Sequence, residues 1–155
     1  MTWKGWAVTS EEIRELVRKS YAAYDQGDHA FIFNLFDDNI DWKYFTSPEA
    51  VPFPNHVRGK MQVLAALKTI GDLFETIGNN LELIMVDGDR AAVICDQKVR
   101  QRATGRIIRT KVAAFHRYRD GRLIEYTAFA DSLDIMQQTL GRMIDLPEIY
   151  PPKVS

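Results

Sequence analysis

Alternating apolar and polar residues are clearest in the second half of the chain, where four such runs follow one another. They cover residues 81–86, 90–102, 107–119 and 123–130, and their period of two is that of half-buried strands. The turn sequences between them contain glycine, and Asp120-Gly121 is a strong hairpin signal because it accepts positive φ. The pattern predicts an antiparallel meander of four strands.

The first half of the chain has helical periodicity. Apolar residues recur every three or four positions in three segments, and a fourth such segment follows the meander. Thr9 or Ser10 begins the first helix and Gly27 ends it, whereas Asp28 and Asp131 are suited to cap the second and fourth helices. The predicted helices cover residues 10–26, 29–36, 60–77 and 132–140.

One further strand is predicted between the second and third helices. From Ile40 onward the period changes to two, so that Ile40, Trp42 and Tyr44 share one face. Before it, residues 37–39 are predicted to turn, and after it a proline-containing loop carries His56. Helices followed by a meander indicate an α+β domain with its helices on one face of the sheet.

Composition narrows the class of protein without giving an activity. The chain has 155 residues, 46% of them hydrophobic, and a net charge of −1. This predicts one domain over residues 1–155, with a core at 9–140 and an irregular tail at 141–155. Near-zero charge argues against nucleic acid or a membrane surface as a partner. With one cysteine, no signal sequence and no apolar run long enough to cross a bilayer, we expect a cytoplasmic protein.

Four segments carry a resemblance to a known family: Tyr24-Asp25-Gln26-Gly27-Asp28, Leu35-Phe36-Asp37-Asp38, Val57-Arg58-Gly59-Lys60 and Phe115-His116-Arg117-Tyr118-Arg119-Asp120-Gly121-Arg122. With the order of elements, the chain resembles the nuclear transport factor 2-like superfamily, in its SnoaL-like and ketosteroid isomerase-related branch. The resemblance implies a cone-shaped, cystatin-like fold. In it a curved mixed sheet, mostly antiparallel, wraps around about three helices plus a short C-terminal helix.

The superfamily includes isomerases, cyclases, dehydratases, epoxide hydrolases and modules without catalysis, so its known catalytic sets must be compared residue by residue. The ketosteroid isomerase positions hold Ser20, Tyr44 and Ala114 here, without the carboxylates which that reaction needs. The limonene epoxide hydrolase positions hold Gln97, Val99 and Ala128. Neither reaction is expected.

Scytalone dehydratase differs less from this chain. Its first helix carries a tyrosine and an aspartate that match Tyr24 and Asp25, and its first-strand tyrosine falls at Trp42. Its two histidines have no clear counterparts. The SnoaL-type polyketide cyclases use acid–base residues in a pocket without metal, a scheme that His116, His56 or Asp25 could serve.

The resemblance and the strand faces together predict an apolar pocket. Its expected lining is Tyr24, Trp42, Tyr44, His56, Gln97, Val99, Val112, Ala114, His116, Tyr126 and Ala128. His116 is the first candidate for proton transfer because histidine titrates near neutrality. A β-bulge between Ile107 and Tyr118 would turn it to the outer face. His56, Tyr44 and Asp25 are the other catalytic candidates, and a structural or solvated role is the alternative for each.

Two functions therefore remain open. One is a cofactor-free isomerase, cyclase or dehydratase acting on a hydrophobic or aromatic ketone, and the other is a ligand-binding or dimerisation module without chemistry. The spacing of the three histidines predicts no metal site, and without a glycine-rich phosphate loop no cofactor is expected. Phe115 and Phe129 would be exposed on a monomer, which predicts a homodimer formed through the sheet.

Overall fold

The protein, described by a computed structural model over residues 8–145, is an α+β domain with four helices and a six-stranded mixed sheet. The helices are α1 (Ser10–Gln26), α2 (His29–Leu35), α3 (Lys60–Leu73) and α4 (Ser132–Leu140). The strands are β1 (Phe36–Phe45), β2 (His56–Arg58), β3 (Phe74–Asp87), β4 (Arg90–Gln101), β5 (Ile107–Arg119) and β6 (Arg122–Ala130). Residues 1–7 and 146–155, including most of the predicted tail, lie outside the described residues.

The sheet has the strand order β2-β1-β6-β5-β4-β3. The predicted meander β3 to β6 is antiparallel throughout, and β1 then pairs with β6 in parallel. The sheet is curved and open, and α1 packs against β3 and β4 while α3 bridges β1 and β3. The fold predicted from the sequence is confirmed, with one face of the sheet covered by helices.

The ends of α1 and α4 follow the capping chemistry of the sequence. Thr9 and Glu12 form a reciprocal capping box at the start of α1, and the Asp131 side chain accepts the Asp134 N–H at 3.0 Å. Gly27 and Gly141 end the two helices with φ of 68° and 71°, a left-handed conformation that glycine adopts without strain. Asp131 is therefore a helix cap, as predicted.

Two strands begin earlier than the sequence pattern indicates. The third helix was predicted to continue to Ile77, but it ends at Leu73 and β3 begins at Phe74. Residues 74–80 pair along β4, with Phe74 opposite Gln101, so the ladder overrides the local helical spacing. Likewise Phe36, predicted as the end of the second helix, begins β1 and pairs with Leu123. The short edge strand β2 was predicted as loop.

A β-bulge shifts the inner face of β6. Arg117 pairs with Glu125 but Tyr118 pairs with Leu123, which leaves Ile124 as an extra residue in β6. Leu123 is therefore the buried residue, at 3% exposure, whereas strict alternation back from Tyr126 and Ala128 would place Ile124 on the inner face. Because the extra residue lies in β6 and not in β5, His116 remains on the inner face. Among the described helices, none is long and apolar enough to cross a membrane.

Candidate functional site

A cavity of about 170 Å³ lies between the inner face of the sheet and the helices. Its wall combines inner-face residues of β1 and β3 to β6 with residues of α1, α2, α3 and α4. Aromatic and aliphatic side chains predominate in this wall, and the polar groups are few. Such a lining suits a hydrophobic ligand that a small number of polar contacts would orient.

Most of the predicted lining residues lie in this wall. They are Tyr24, Trp42, Tyr44, Gln97, Val99, Val112, His116 and Tyr126. Ala114 and Ala128 do not reach it, which corrects their prediction as lining residues. Both are fully buried and pack in a small cluster with Val112, behind the ring of Tyr44. Their short side chains leave room for the larger tyrosines.

His56 lies outside the cavity, in contrast to its predicted place at the mouth. It is exposed in the edge strand β2, where its Nε2 contacts the Asp41 carboxylate. Burial raises the pKa of Asp41, but the His56 hydrogen bond and the charges of Lys43, His56 and Arg58 lower it overall. His56 thus belongs to a surface ion-pair group.

Asp25 also lies outside the cavity, at the exposed end of α1. Its carboxylate accepts the backbone N–H of Asn79 at 3.1 Å and the Asn79 Nδ2 at 2.5 Å. Asn79 in turn lines the cavity, and its Oδ1 accepts from Gln97 Nε2 at 3.1 Å and from the Cys95 thiol at 3.4 Å. Asp25 is therefore one step removed from the cavity, and Asn79 connects it to the wall.

Cys95 is a neutral thiol in this wall. Burial, and then the charges of Asp25, Asp96 and Glu82, raise its pKa to about 12. The thiolate is the reactive form of cysteine, so this side chain acts as a small packing residue and a weak hydrogen-bond donor.

His116 is held in a fixed orientation at the β5 side of the cavity. It is 4% exposed, and its Nδ1 lies 3.0 Å from the Tyr118 hydroxyl. The ring stacks on Tyr21 with centroids 5.9 Å apart and packs against Tyr126 at 5.1 Å. Within the described residues, Nε2 is buried without a hydrogen-bond partner. A residue of the cavity wall thus carries an unused hydrogen-bonding position.

Burial keeps His116 neutral. Removal from water disfavours the imidazolium and lowers the pKa to about 4. The hydrogen bond with Tyr118 also orients the ring. If Tyr118 donates this bond to Nδ1, Nε2 carries the ring proton, whereas if Nδ1 donates it, Nε2 is unprotonated. The Ser20 hydroxyl donates to the Val17 carbonyl at 2.7 Å and lies close enough to Tyr118 to lower its pKa, although burial raises that pKa overall. Donation from Tyr118 to Ser20 would leave Nε2 unprotonated and able to act as a base.

Three tyrosines supply hydroxyl groups that stay protonated. Burial is the main cause that raises the pKa of Tyr21, Tyr44 and Tyr126, for Tyr44 to about 12. Within the described residues, the Tyr21 hydroxyl makes no hydrogen bond of ordinary geometry, although it is near enough to Tyr126 for each to affect the other's pKa. Protonated phenols are hydrogen-bond donors for a carbonyl oxygen.

Trp42 forms part of the wall beside these tyrosines. Its ring stacks on Tyr126 with centroids 3.8 Å apart and also contacts Phe36 and Phe53. Its indole N–H is buried and, among residues 8–145, has no partner. The orphan polar atoms of Trp42, Tyr21 and His116 therefore all belong to residues of one cavity wall, where a ligand can satisfy them.

Sequence reasoning missed Tyr21, Tyr118 and Asn79 as parts of this site. Tyr21 lies three residues before Tyr24 on the first helix, and that spacing could have placed both in the wall. Tyr118 shares the inner face of β5 with His116, two residues away. Asn79 could not have been found, because it was assigned to a turn at the end of the third helix.

The family model described as a SnoaL-like domain matches residues 17–126. The chain belongs to this family. The fold is that of the nuclear transport factor 2-like superfamily. No functionally curated protein matches the sequence significantly.

Solved structures give the same fold. A proposed isomerase from Rhodopseudomonas palustris is 27% identical, with a TM-score of 0.75, over 84% of this chain and 96% of its own. A proposed isomerase from Bacillus subtilis is 19% identical, with a TM-score of 0.71, over 84% and 94%. IdmH, a proposed polyketide cyclase from Streptomyces antibioticus, is 19% identical, with a TM-score of 0.69, over 83% and 97%. The last two establish similarity of fold alone.

Proposed function

We propose that this SnoaL-like protein is a cofactor-free acid–base enzyme that acts on a hydrophobic or aromatic ketone. The observation that carries the proposal is the buried, unpartnered Nε2 of His116 in an apolar cavity that also contains the unpartnered Tyr21 hydroxyl. A base and a hydrogen-bond donor beside one ligand are the two groups that enolisation needs. The structural similarity to proteins described as isomerases and a polyketide cyclase agrees with it.

The proposed step is removal of a proton from the carbon next to the carbonyl. Nε2 of His116 takes the proton, the C–H electron pair forms the enolate double bond, and the carbonyl oxygen takes the negative charge. The Tyr21 and Tyr126 hydroxyls donate to that oxygen, with the Trp42 N–H as a third donor. The imidazolium and the enolate form together, so the cavity gains no net charge. The attraction between them offsets the cost of a buried imidazolium, the same cost that lowers the pKa of His116 in the free protein.

The enolate can then follow one of three courses. Return of the proton to another carbon gives an isomer, attack on a second carbonyl of the same molecule closes a ring, and loss of a β-hydroxyl gives dehydration. All three begin with the same proton abstraction, so one assay covers them. The geometry of His116 favours no one of the three.

The first prediction concerns the wild-type protein. In D₂O it should exchange the α-protons of hydrophobic ketones, with 2-tetralone as the probe, faster than buffer does, and NMR loss of the α-proton signal measures the rate. Tyr21→Phe should slow the exchange by roughly tenfold or more, since one oxyanion donor is removed. No exchange above buffer across a panel of bicyclic and tricyclic ketones would contradict the proposal. Saturable binding without exchange would instead favour a ligand-binding module.

We further propose that the protein forms a homodimer through the outer face of the sheet. The face exposes large apolar side chains, each at least 36% accessible, among them Phe45, Leu83, Met85, Ile94, Phe115 and Phe129. Phe45 stacks on Phe129 with centroids 4.9 Å apart, and Phe115 meets Phe129 edge to face. Such a continuous apolar patch is unusual on a monomer.

Charge complementarity favours a second copy of this chain as the occupant. Charged residues of both signs border the apolar residues of this face. Arg117 pairs with Asp89 and Glu125 on one side, and Lys111 pairs with Glu82 on another. A surface with both signs around an apolar centre can be complementary to itself about a two-fold axis.

The second prediction follows from this surface. Phe115→Glu combined with Phe129→Glu should convert the dimer into a monomer in sedimentation velocity, because each subunit would bring two carboxylates into the apolar interface. Met61→Glu replaces another exposed hydrophobic residue, at 64% exposure on α3, and should leave the dimer intact. A wild-type monomer at micromolar concentration would refute the dimer, and equal behaviour of both variants would refute this interface.

A further inference from the structure

A row of hydrogen bonds across β3 and β4 fixes the orientation of the Gln97 carboxamide. A carboxylate can only accept, so Asp25 requires Asn79 to direct its backbone N–H and its side-chain Nδ2 toward it. The Asn79 Oδ1 is thereby turned the other way, toward Gln97. That oxygen accepts, so Gln97 must present its own Nε2, at 3.1 Å.

The consequence is an acceptor in the cavity wall. With Nε2 committed to Asn79, Gln97 has its Oε1 left over, and among the described residues this oxygen has no hydrogen-bond partner. Gln97, Asn79 and Cys95 all line the cavity. Amide orientation is usually ambiguous, but here the carboxylate at the end of the row removes the ambiguity.

Gln97 and His116 occupy different ends of the cavity. On the ladder, Gln97 pairs with Thr110 whereas His116 pairs with Ala91, so six residues of β5 separate the two levels. This separation is on the order of 20 Å along the strand, and the curvature of the sheet brings the side chains closer. A ligand in contact with both ends is therefore elongated.

We propose that Gln97 is a specificity-determining residue that accepts a hydrogen bond from a hydroxyl or N–H group at the far end of the ligand. Asp25 and Asn79 are positioning residues that keep its oxygen turned into the cavity. The ketone in this inference rests on the proposed function, whereas the role of Gln97 does not. Together, the two proposals give the substrate class: an elongated aromatic ketone with a phenolic or enolic hydroxyl distant from the carbonyl.

The test compares phenols with their methyl ethers, which lose the donor but keep the ketone. Isothermal titration calorimetry would use 6-hydroxy-1-tetralone against 6-methoxy-1-tetralone, and estrone against its 3-methyl ether for a longer ligand. The wild-type protein should bind the phenol of at least one pair roughly tenfold more tightly, since the ether leaves Oε1 unpaired. Equal affinities within both pairs, or binding of neither pair, would overturn the inference.

Two variants separate the acceptor from its orientation. Gln97→Leu should remove the preference for the phenol while leaving the affinity for the ether equal or higher. In Asp25→Asn the row can reverse, because an asparagine also donates, and Gln97 can then turn its NH₂ group into the cavity. This variant should bind the ether at least as tightly as the phenol.

Glu15→Gln is the matched control, since it removes one exposed negative charge from the same helix. It should keep the wild-type preference. A loss of affinity in Asp25→Asn that is equal for phenol and ether would show a merely structural role and would contradict the positioning assignment.

The outcome is independent of proton transfer. His116→Gln should lower the rate of α-proton exchange by roughly 10²- to 10⁴-fold yet keep the phenol preference, since Gln97 is unchanged. Phenol preference without any exchange would refute the proposed function and leave the acceptor role standing. Exchange without phenol preference would overturn the acceptor role of Gln97 and leave the proposed function standing.

Discussion

Between pH 7 and pH 4, the wild-type protein should lose about 3 kcal/mol more unfolding free energy than His116→Gln. Burial lowers the pKa of His116 from 6.5 to about 4 in the folded protein, whereas the unfolded chain keeps the ordinary value. The side chain is only 4% exposed, so solvent screening hardly reduces the effect.

The sign follows from proton uptake. Above pH 6.5 the histidine is neutral in both states, and its contribution to stability is complete. As the pH falls from 6.5 toward 4, the unfolded chain binds a proton that the folded protein does not, so stability decreases. Below about pH 4 both states are protonated and the loss is complete.

Urea denaturation at a series of pH values measures this difference. Exposed carboxylates contribute equally to the wild-type protein and to the variant, so the difference between the two curves isolates His116. His29→Gln is the control, and it should retain the wild-type slope because His29 is exposed at the start of α2 and, among the described residues, forms no ion pair. Parallel curves for wild type and His116→Gln would show that His116 is solvated and not buried.

The other large effect is on catalysis. His116→Gln should lower the rate of α-proton exchange by roughly 10²- to 10⁴-fold, the usual contribution of a general base. Glutamine can keep a hydrogen bond to Tyr118 but cannot take a proton at neutral pH, so the rate should fall without a comparable loss of ketone binding. His56→Gln should exchange at the wild-type rate. Equal losses in both variants would refute the assignment of the base.

The sequence was sufficient for the fold because the periodicity of the strands was nearly complete. In β5, six residues from Ile108 to Tyr118 alternate with exposed or half-buried neighbours, and each of the six is buried as the pattern predicts. The hairpin at Asp120-Gly121 and the cap at Asp131 are local signals that tertiary contacts reinforce. Eight predicted cavity residues accordingly lie in the wall.

The polar row of the site could not be predicted, because it depends on pairing between distant strands. Asn79 was assigned to a turn at the end of a helix, yet the ladder with β4 extends β3 back to Phe74 and places Asn79 opposite Gln97. The same limit applied to His56 and Asp25. Their spacing in the sequence gave no sign that one lies on an edge strand and the other acts through Asn79.

The bulge in β6 shows a third limit. Periodicity assigned Ile124 to the inner face, and one extra residue in the strand put Leu123 there instead. His116 kept its place because the irregularity fell on the neighbouring strand. One extra residue in β5 would have turned His116, the only buried histidine among the described residues, away from the cavity.

The pH profile of exchange in the wild-type protein shows whether the buried His116 is the base. If the buried, neutral His116 is the base, the second-order rate constant for 2-tetralone exchange, corrected for buffer, should stay level from about pH 5.5 to about pH 8. It should fall only as the pH approaches about 4. A rate constant that instead rises through an inflection between about pH 6 and 7 would identify a solvated base and contradict this account.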